Sequence, residues 1–234
     1  MLKVEIRKKR RDLLVEVAFE LASGDSLALF GPSGAGKSTV LTCIAGIEEP
    51  DSGEVLLGGV KLFPPSLPLY QRPIGYLTQE PSLFPHLTVA QNVQFGISRR
   101  NRSTDLTRWV EKLRSRLELN SLWAAPASRI SGGQARRVAL ARMLAPKPSL
   151  VLLDEPFAGL DRQVVRELIE DLLDWSRQIG FSMIAVDHQS EVLERLCPNR
   201  VIALEAGSMV QQGRWTALRA APATEQLRSL LAPL

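Results

Sequence analysis

The sequence predicts an α/β fold with a mostly parallel central sheet, an antiparallel β region near the start, and an inserted helical lobe. Short apolar strands alternate with helical segments along the chain, as in parallel sheets. Residues 2–7 and 15–21 instead alternate apolar and polar side chains with a period of two, which is typical of half-buried antiparallel strands. Residues 88–144 show mostly helical periodicity, which predicts the lobe.

The basic run Arg-Lys-Lys-Arg-Arg at residues 7–11 lies between the two alternating segments and is predicted to be the turn that joins them. Such a run is either a solvated turn or a surface for nucleic acid or anionic lipid. No aromatic residue interleaves the run, which argues against nucleic acid as a partner.

The remaining elements follow from apolar runs and their period. Residues 150–153 form a continuous apolar run, as expected for a parallel strand covered on both faces. Leucine and valine recur at helical spacing from Leu106 to Leu117. Further strands are predicted at residues 26–30, 55–57, 74–77, 181–186, 200–204 and 209–212, and helices at 39–47, at 164–179 and in the tail from Thr216.

Length and composition indicate one large globular domain. The chain has 234 residues, of which 45% are hydrophobic and 23% charged, so disorder is not expected. No apolar run approaches the roughly 18–20 residues that span a bilayer, and the start lacks a signal-peptide core, so we expect a soluble intracellular protein. Cys43 and Cys197 lack metal-ligand spacing and are expected to be buried free thiols.

A phosphate-binding loop is predicted directly after the strand at residues 26–30. Residues 31–38 fit the pattern G-x-x-x-x-G-K-[ST], between a predicted strand and a predicted helix, which is the context this motif requires. Its backbone N–H groups and the helix N-terminus would bind the phosphates of a nucleotide, as in the core sheet of P-loop NTPases. Lys37 would reach the β- and γ-phosphates, and Ser38 would ligate Mg²⁺. The predicted loop residues are Gly31, Pro32, Ser33, Gly34, Ala35, Gly36, Lys37, Ser38 and Thr39.

Two adjacent acids end the apolar run at residues 150–153. Adjacent carboxylates at the end of a buried strand are costly unless a cation or hydrogen bonds stabilise them. Asp154 is therefore predicted to hold Mg²⁺, and Glu155 to polarise the water that attacks ATP.

The segment from Ile130 to Arg142, Ile-Ser-Gly-Gly-Gln-Ala-Arg-Arg-Val-Ala-Leu-Ala-Arg, resembles the signature of the ATP-binding-cassette (ABC) family, with Ile130 where leucine is usual. Gln79 resembles the Q-loop glutamine of that family, residues 158–161 resemble the D-loop, and His188 resembles the switch histidine. The resemblance runs from about residue 2 to residue 213. It implies one nucleotide-binding domain over residues 1–234, with the helical lobe at about residues 80–145.

The resemblance also implies how these residues act. Two domains would meet head to tail, so that the signature of one completes the ATP site of the other in a homodimer. His188 would hold the attacking water, and Gln79 would sense Mg²⁺ and that water, so the implied catalytic residues are Glu155, His188 and Gln79, with Gln79 also a metal ligand. The implied nucleotide contacts across the dimer are Ser131, Gly132, Gly133, Gln134 and Asp161.

Residues 80–93 resemble the importer branch, whose lobe carries a groove for a permease helix. Phe84 and Leu87 would be apolar contacts of that groove, although Phe84-Pro85 could instead pack a turn. The resemblance is strongest to ATPases of molybdate and related oxyanion uptake, which act with permease subunits and, indirectly, a substrate-binding protein. It implies a peripheral position on the cytoplasmic face of the membrane. The alternatives are an exporter or lipoprotein-release ATPase, and a soluble iron–sulfur-assembly ATPase.

The adenine contact is not found where the resemblance would place it. Many members of the family have an aromatic residue in the turn after the first strand, but residues 8–12 contain none. Phe19 alternates with Val17 and Leu21, which predicts a core position for it. Arg10 or Arg11 would then stack on the base, or the base would be barely held.

Overall fold

The computed structural model describes residues 1–97 and 103–232. Ten strands form one sheet in the order β5-β4-β1-β2-β10-β9-β3-β8-β7-β6. The strands are β1 (Leu2–Arg10), β2 (Leu13–Leu21), β3 (Ser26–Phe30), β4 (Ser52–Leu57), β5 (Val60–Phe63), β6 (Ile74–Leu77), β7 (Leu150–Asp154), β8 (Ser182–Val186), β9 (Val201–Glu205) and β10 (Ser208–Gly213).

Helices cover both faces of the sheet and fill the connection between β6 and β7. They are α1 (Lys37–Ala45), α2 (Val89–Gln94), α3 (Thr104–Arg116), α4 (Gly132–Leu144), α5 (Arg162–Ile179), α6 (Ser190–Leu196), α7 (Trp215–Ala220) and α8 (Glu225–Leu231). In the described part of the chain, no helix is long and apolar enough to cross a membrane.

The sheet has a parallel part and an antiparallel part, as the sequence predicts. Strands β9, β3, β8, β7 and β6 are neighbours in that order and run parallel. Strand β1 pairs antiparallel with both β2 and β4. The α/β class predicted from the alternation of strands and helices is confirmed.

The core is divided between the two faces of the sheet. Strand β7 shows the division, because Leu150 and Leu152 pack with helix α1 on one face. Val151 and Leu153 pack with the lobe helices on the other. The whole strand is buried, so the acids at its end are held on a rigid element.

The prediction that residues 7–11 form the turn is wrong in its bounds. Strand β1 continues to Arg10, and the turn consists of Arg11 and Asp12, with Arg11 at φ 53°. Asp51 stabilises the longer strand, since its carboxylate accepts from the Lys9 backbone N–H at 2.7 Å and from Lys8 Nζ at 3.1 Å.

Other boundaries also differ from the predictions. Helix α1 begins at Lys37 rather than Thr39, and strand β5 and helix α6 were not predicted. The predicted helical stretch at 88–144 is interrupted between α2 and α3, where residues 98–102 lie outside the described residues. The predicted strand at residues 209–212 is confirmed as part of β10, which pairs antiparallel with β9. Phe19 is in the core, and both cysteines are buried and free, as expected.

Candidate functional site

The predicted catalytic and phosphate-binding residues lie at one edge of the parallel sheet. The phosphate loop follows β3, Gln79 follows β6, Asp154 ends β7, and His188 follows β8. Because these strands are parallel neighbours, their carboxyl ends meet at one edge, where open α/β sheets bind ligands.

The phosphate loop depends on glycine at both ends. Gly31 has φ 146°, and a Cβ there would lie 2.0 Å from the carbonyl oxygen of Leu204. Gly36, the residue before helix α1, has φ 97°, and a Cβ there would lie 2.7 Å from Cγ2 of Val15. The loop therefore fits between β2 and β9 only with glycine at these positions.

Lys37 is buried and points back over the loop. Its Nζ donates to the carbonyl oxygens of Gly31 and Pro32, at 2.8 Å each. Burial lowers the pKa of Lys37, while the nearby charges of Asp154 and Glu155 oppose that shift. Among the described residues, no hydrogen bond is recorded for the backbone N–H groups of Gly34 and Gly36, so these donors are free for an anion.

Asp154 is buried and held by two hydroxyl groups. Ser38 Oγ lies 3.1 Å from Oδ1, and the Tyr76 hydroxyl lies 3.2 Å from Oδ2. Burial raises the pKa of Asp154, and the hydrogen bonds from Ser38 and Tyr76 oppose the shift. A cation next to this carboxylate would stabilise its charged form.

Glu155 is held by the two other residues predicted to be catalytic. Gln79 Nε2 donates to Oε2 at 3.1 Å, and His188 Nε2 lies 2.6 Å from Oε1. The Glu155 side chain is 20% exposed, so the carboxylate can still reach a ligand at the sheet edge. The structure thus brings together Gln79, Asp154, Glu155 and His188, which we call the core-edge cluster.

The signature segment, Ser131–Gln134, lies elsewhere. Ser131 caps helix α4, where its hydroxyl accepts from the Gln134 backbone N–H at 3.3 Å and its own N–H donates to Gln134 Oε1 at 2.9 Å. Within residues 1–97 and 103–232, no hydrogen bond joins this segment to the phosphate loop. Asp161, which precedes α5, is exposed. The single chain therefore does not bring the signature segment and Asp161 together with the core-edge cluster by hydrogen bonds.

Phe84 packs in a turn. Its ring lies 4.3 Å from that of Phe95, and its backbone N–H and carbonyl both bond to the side chain of buried Asn92. Phe95 is 61% exposed, and Leu87 is half-buried. Turn packing and an apolar surface are thus both present at this place.

Three residues near the site were not found by sequence reasoning: Tyr76, Arg136 and Asp187. Tyr76 contacts Asp154 from the neighbouring strand. Asp187, which precedes His188, is buried, and burial raises the pKa of the Asp187 carboxyl. Arg136 lies on helix α4 but donates to carbonyl oxygens at the sheet edge. Of these three, only Asp187 could have been found from the local sequence, because it is an acid directly after the apolar strand β8. The positions of the other two depend on tertiary contacts.

The chain matches the family model described as ABC transporter over residues 14–158. It is 38% identical to the molybdate/tungstate import ATP-binding protein of Pyrococcus horikoshii over 99% of this chain and 67% of that protein. It is 40% identical to the sulfate/thiosulfate import ATP-binding protein of Caulobacter vibrioides over 94% of this chain and 66% of that protein. The chain thus spans about two thirds of the length of these curated relatives.

Solved structures show the same fold. An ATP-binding cassette solved as a dimer in a post-hydrolysis state, with ADP and phosphate bound, superposes with a TM-score of 0.79 at 27% identity, covering 92% of this chain and 98% of that one. An ATP-binding subunit of an ABC transporter superposes with a TM-score of 0.84 at 25% identity, covering 98% and 97%. Together with the family match, these findings show that the chain belongs to the ABC transporter family as an ATPase domain.

Proposed function

We propose that residues 1–234 form one nucleotide-binding domain, with its helical lobe at about residues 80–145, which hydrolyses ATP to power an importer of molybdate or a related oxyanion. The observation that carries the ATPase part is the position of Glu155. Its carboxylate accepts a hydrogen bond from Gln79 and lies 2.6 Å from His188 Nε2, at the sheet edge that also holds the phosphate loop.

The phosphate loop binds the nucleotide in this proposal. The free N–H groups of the loop and the N-terminus of α1 face the phosphates, and Lys37 exchanges the carbonyls of Gly31 and Pro32 for phosphate oxygens. The loop residues Ser33, Ala35 and Thr39 provide backbone and hydroxyl groups along the same path.

The residues beside the loop fit Mg²⁺. Ser38 and Asp154 provide a hydroxyl and a carboxylate oxygen 3.1 Å apart. Mg²⁺ is usually bound by one or two such protein oxygens, and phosphate oxygens and waters complete its coordination. No group of three or more His, Cys, Asp or Glu side chains suited to a metal was found in the described part, which agrees with a site that the phosphates complete. Gln79 would contribute its amide oxygen. When bound, the ion would neutralise charge on the phosphates.

Glu155 accepts the proton of the attacking water in this proposal. Its two oxygens are 3.1 Å and 2.6 Å from Gln79 and His188, which fix the carboxylate in one orientation. When nucleotide binds, His188 would release Glu155 and turn its Nε2–H toward the γ-phosphate. Gln79 would contact the metal ion and the attacking water.

The signature segment acts on a second copy of the chain. Ser131 and Gly132 are exposed and Gly133 and Gln134 half-buried at the N-terminus of α4, which suits the γ-phosphate of a partner's nucleotide. Asp161 would contact the nucleotide across the same interface. The similar cassette that was solved as a dimer supports a homodimer, which we propose to be arranged head to tail.

Import and its substrate are inferred from the relatives. The proteins from Pyrococcus and Caulobacter are named as import ATP-binding proteins for molybdate/tungstate and for sulfate/thiosulfate, both oxyanion systems. We therefore place the chain on the cytoplasmic face of the membrane. There it would contact permease subunits through Phe84 and Leu87, serve a substrate-binding protein indirectly, and need no nucleic acid.

The ATPase part is tested with the Glu155→Gln variant. Glutamine keeps the shape but cannot accept the proton, so turnover should fall about 10²–10⁴-fold while ATP binding persists. ATP should then drive the variant into a dimer, measured by light scattering with and without nucleotide. Turnover close to wild type would remove Glu155 from its role.

The transport part is tested by uptake. Cells that lack this chain should lose uptake of radiolabelled molybdate, and the wild-type chain should restore it while Glu155→Gln should not. Unimpaired molybdate and sulfate uptake in the deleted cells would contradict the oxyanion proposal and leave the ATPase result unaffected.

A further inference from the structure

Arg136 is a buried arginine that bridges two strand ends. It lies in the second turn of helix α4 and is 3% exposed. Its Nε donates to the carbonyl oxygen of Pro156 at 2.7 Å, and its Nη1 donates to those of Thr78 at 2.6 Å and Gln79 at 2.7 Å. Its Nη2 donates to the carbonyl oxygen of Glu155. One guanidinium group thus ties the residues after β6 to those after β7.

The backbone of Glu155 needs such support. Its φ is 48°, in the left-handed region that residues other than glycine rarely adopt and that persists only when surrounding contacts hold it. Its N–H donates to the carbonyl oxygen of Val186 at 2.9 Å, and its own carbonyl accepts from Arg136. The same carbonyl also accepts from the Ala158 backbone N–H at 3.3 Å. Arg136 therefore supplies one of the three hydrogen bonds that hold the Glu155 backbone in place.

Helix α4 holds the segment after β6 at two points. Arg142, further along the helix, donates to the carbonyl oxygens of Pro81 and Ser82, at 3.0 Å each. Arg136 holds Thr78 and Gln79. The helix that begins with the signature segment is thus fastened to the backbone of two core-edge residues.

We propose that Arg136 is a positioning residue for hydrolysis, which fixes the backbones of Glu155 and Gln79 so that their side chains meet. The proposal rests on the proposed role of Glu155. Without Arg136, the two strand ends lose their common donor, and the 3.1 Å contact between Gln79 Nε2 and Glu155 Oε2 is no longer fixed from the backbone. Arg136 itself does not touch substrate.

The test separates catalysis from folding by using a matched buried arginine. Arg72 is 8% exposed and likewise donates to backbone carbonyls, of Leu67, Ile44 and Leu62, but none of these belongs to the core-edge cluster. Arg136→Met should keep the Kd for ATP within about threefold and lower kcat about 10²-fold, as misplacement by about an ångström does. Arg72→Met should lower the Tm by a similar amount and leave the kcat of the folded protein unchanged.

A double-mutant cycle measures whether Arg136 and Glu155 act together in turnover, which a purely structural role of Arg136 would not affect. If Arg136 acts through Glu155, adding Arg136→Met to Glu155→Gln should lower the residual turnover by less than about threefold, since the two changes remove the same contribution. A full further 10²-fold loss would overturn the proposal, because it would mean that the two residues act independently.

Arg136→Lys covers the case in which the methionine variant does not fold. Lysine keeps the charge but lacks the fork that reaches both strand ends, so kcat should fall about tenfold at unchanged Kd for ATP. A folded Met or Lys variant with wild-type kcat overturns the proposal. Failure of the proposed function itself would look different, because Glu155→Gln would then turn over like wild type.

Discussion

The core-edge cluster and the signature segment differ in how far one chain completes them. In the cluster, Glu155 accepts a hydrogen bond from Gln79 and contacts His188, and Asp154 accepts hydrogen bonds from Ser38 and Tyr76. In the signature segment, the side chains of Ser131 and Gln134 hydrogen-bond each other's backbone N–H groups in a capping box, and Ser131 is exposed.

We call the core-edge cluster with the phosphate loop the built half of the site, because one chain brings its residues together. We call the signature segment the presented half, because it lies apart from that cluster and is available to a second chain. Parallel strands bring the cluster together because their carboxyl ends meet at one edge. The signature segment instead begins a helix of the lobe, where Ser131 and Gly132 are exposed and the capping box is formed within the segment itself. Changes in the cluster should therefore act within one chain, and changes in the signature on its partner.

The largest effect is expected from Lys37→Ala, which removes the buried cation of the built half. Each charge-assisted hydrogen bond to phosphate contributes about 1.5–3 kcal/mol, so the affinity for Mg-ATP should fall about 10²-fold or more. Equilibrium binding of a fluorescent ATP analogue measures it. Lys61→Ala, which changes an exposed lysine of β5, is the control, and an unchanged affinity in Lys37→Ala would contradict the phosphate-loop assignment.

The presented half is tested by Ser131→Arg, whose bulk should block the approach to a partner's phosphates. The variant alone should be nearly inactive, yet it should complement Lys37→Ala. In a mixed dimer both lesions fall in one site, so a one-to-one mixture should recover about a quarter of wild-type turnover if subunits pair at random.

Absence of recovery in that mixture has two explanations that dimerisation separates. If ATP drives the mixed subunits to dimerise but turnover stays absent, the two sites are obligatorily coupled. If ATP drives no dimerisation even in Glu155→Gln, the composite site itself is contradicted.

A smaller effect is expected from Tyr76→Phe, which removes one hydroxyl from Asp154 inside the built half. Asp154 then loses a hydrogen bond that favours its charged form, so its pKa should rise further and its hold on Mg²⁺ should weaken. Loss of such an outer partner costs about tenfold in metal affinity. Titration of turnover with Mg²⁺ measures the shift, with Tyr70→Phe as control because Tyr70 is 86% exposed.

The smallest effect concerns the base of the nucleotide. The Arg10 guanidinium lies 3.4 Å from Thr39 Oγ1 of the phosphate loop, and the Arg10 side chain is 58% exposed. It can therefore stack on the face of a base without hydrogen-bonding to the groups that distinguish adenine from guanine. GTP should therefore support hydrolysis within about tenfold of ATP, a gap of about 1.4 kcal/mol. Turnover with both nucleotides tests it, since a strong preference for ATP would require an adenine-specific contact.

Arginine variants sharpen that result. Arg10→Ala should weaken binding of both nucleotides to a similar degree if the guanidinium stacks on the base, by about tenfold for a stack of about 1–3 kcal/mol. Arg11→Ala is the comparison, since Arg11 forms the turn next to it. Unchanged affinities in both variants would mean that the phosphates supply nearly all of the binding.

The sequence by itself determined the fold class and the members of the core-edge cluster. Gly31–Thr39 and Glu155 follow apolar strands and Asp154 ends one, whereas Gln79 and His188 were predicted from the resemblance to the ABC family. A parallel sheet brings all of these positions to one edge. Local pattern was sufficient there because strand direction, rather than any particular side-chain contact, decides which residues meet.

Contacts between residues that are far apart in the sequence could be found only in the folded structure. Asp51 keeps residues 7–10 in β1 although their charge predicted a turn, and Tyr76 on β6 contacts Asp154 on the neighbouring strand β7. Arg136 is one of several arginines on α4, and nothing in the helical pattern shows that it reaches the carbonyls of Gln79 and Glu155. Such pairs depend on how the lobe packs on the sheet, because burial of a charged group requires partners that only the folded chain supplies.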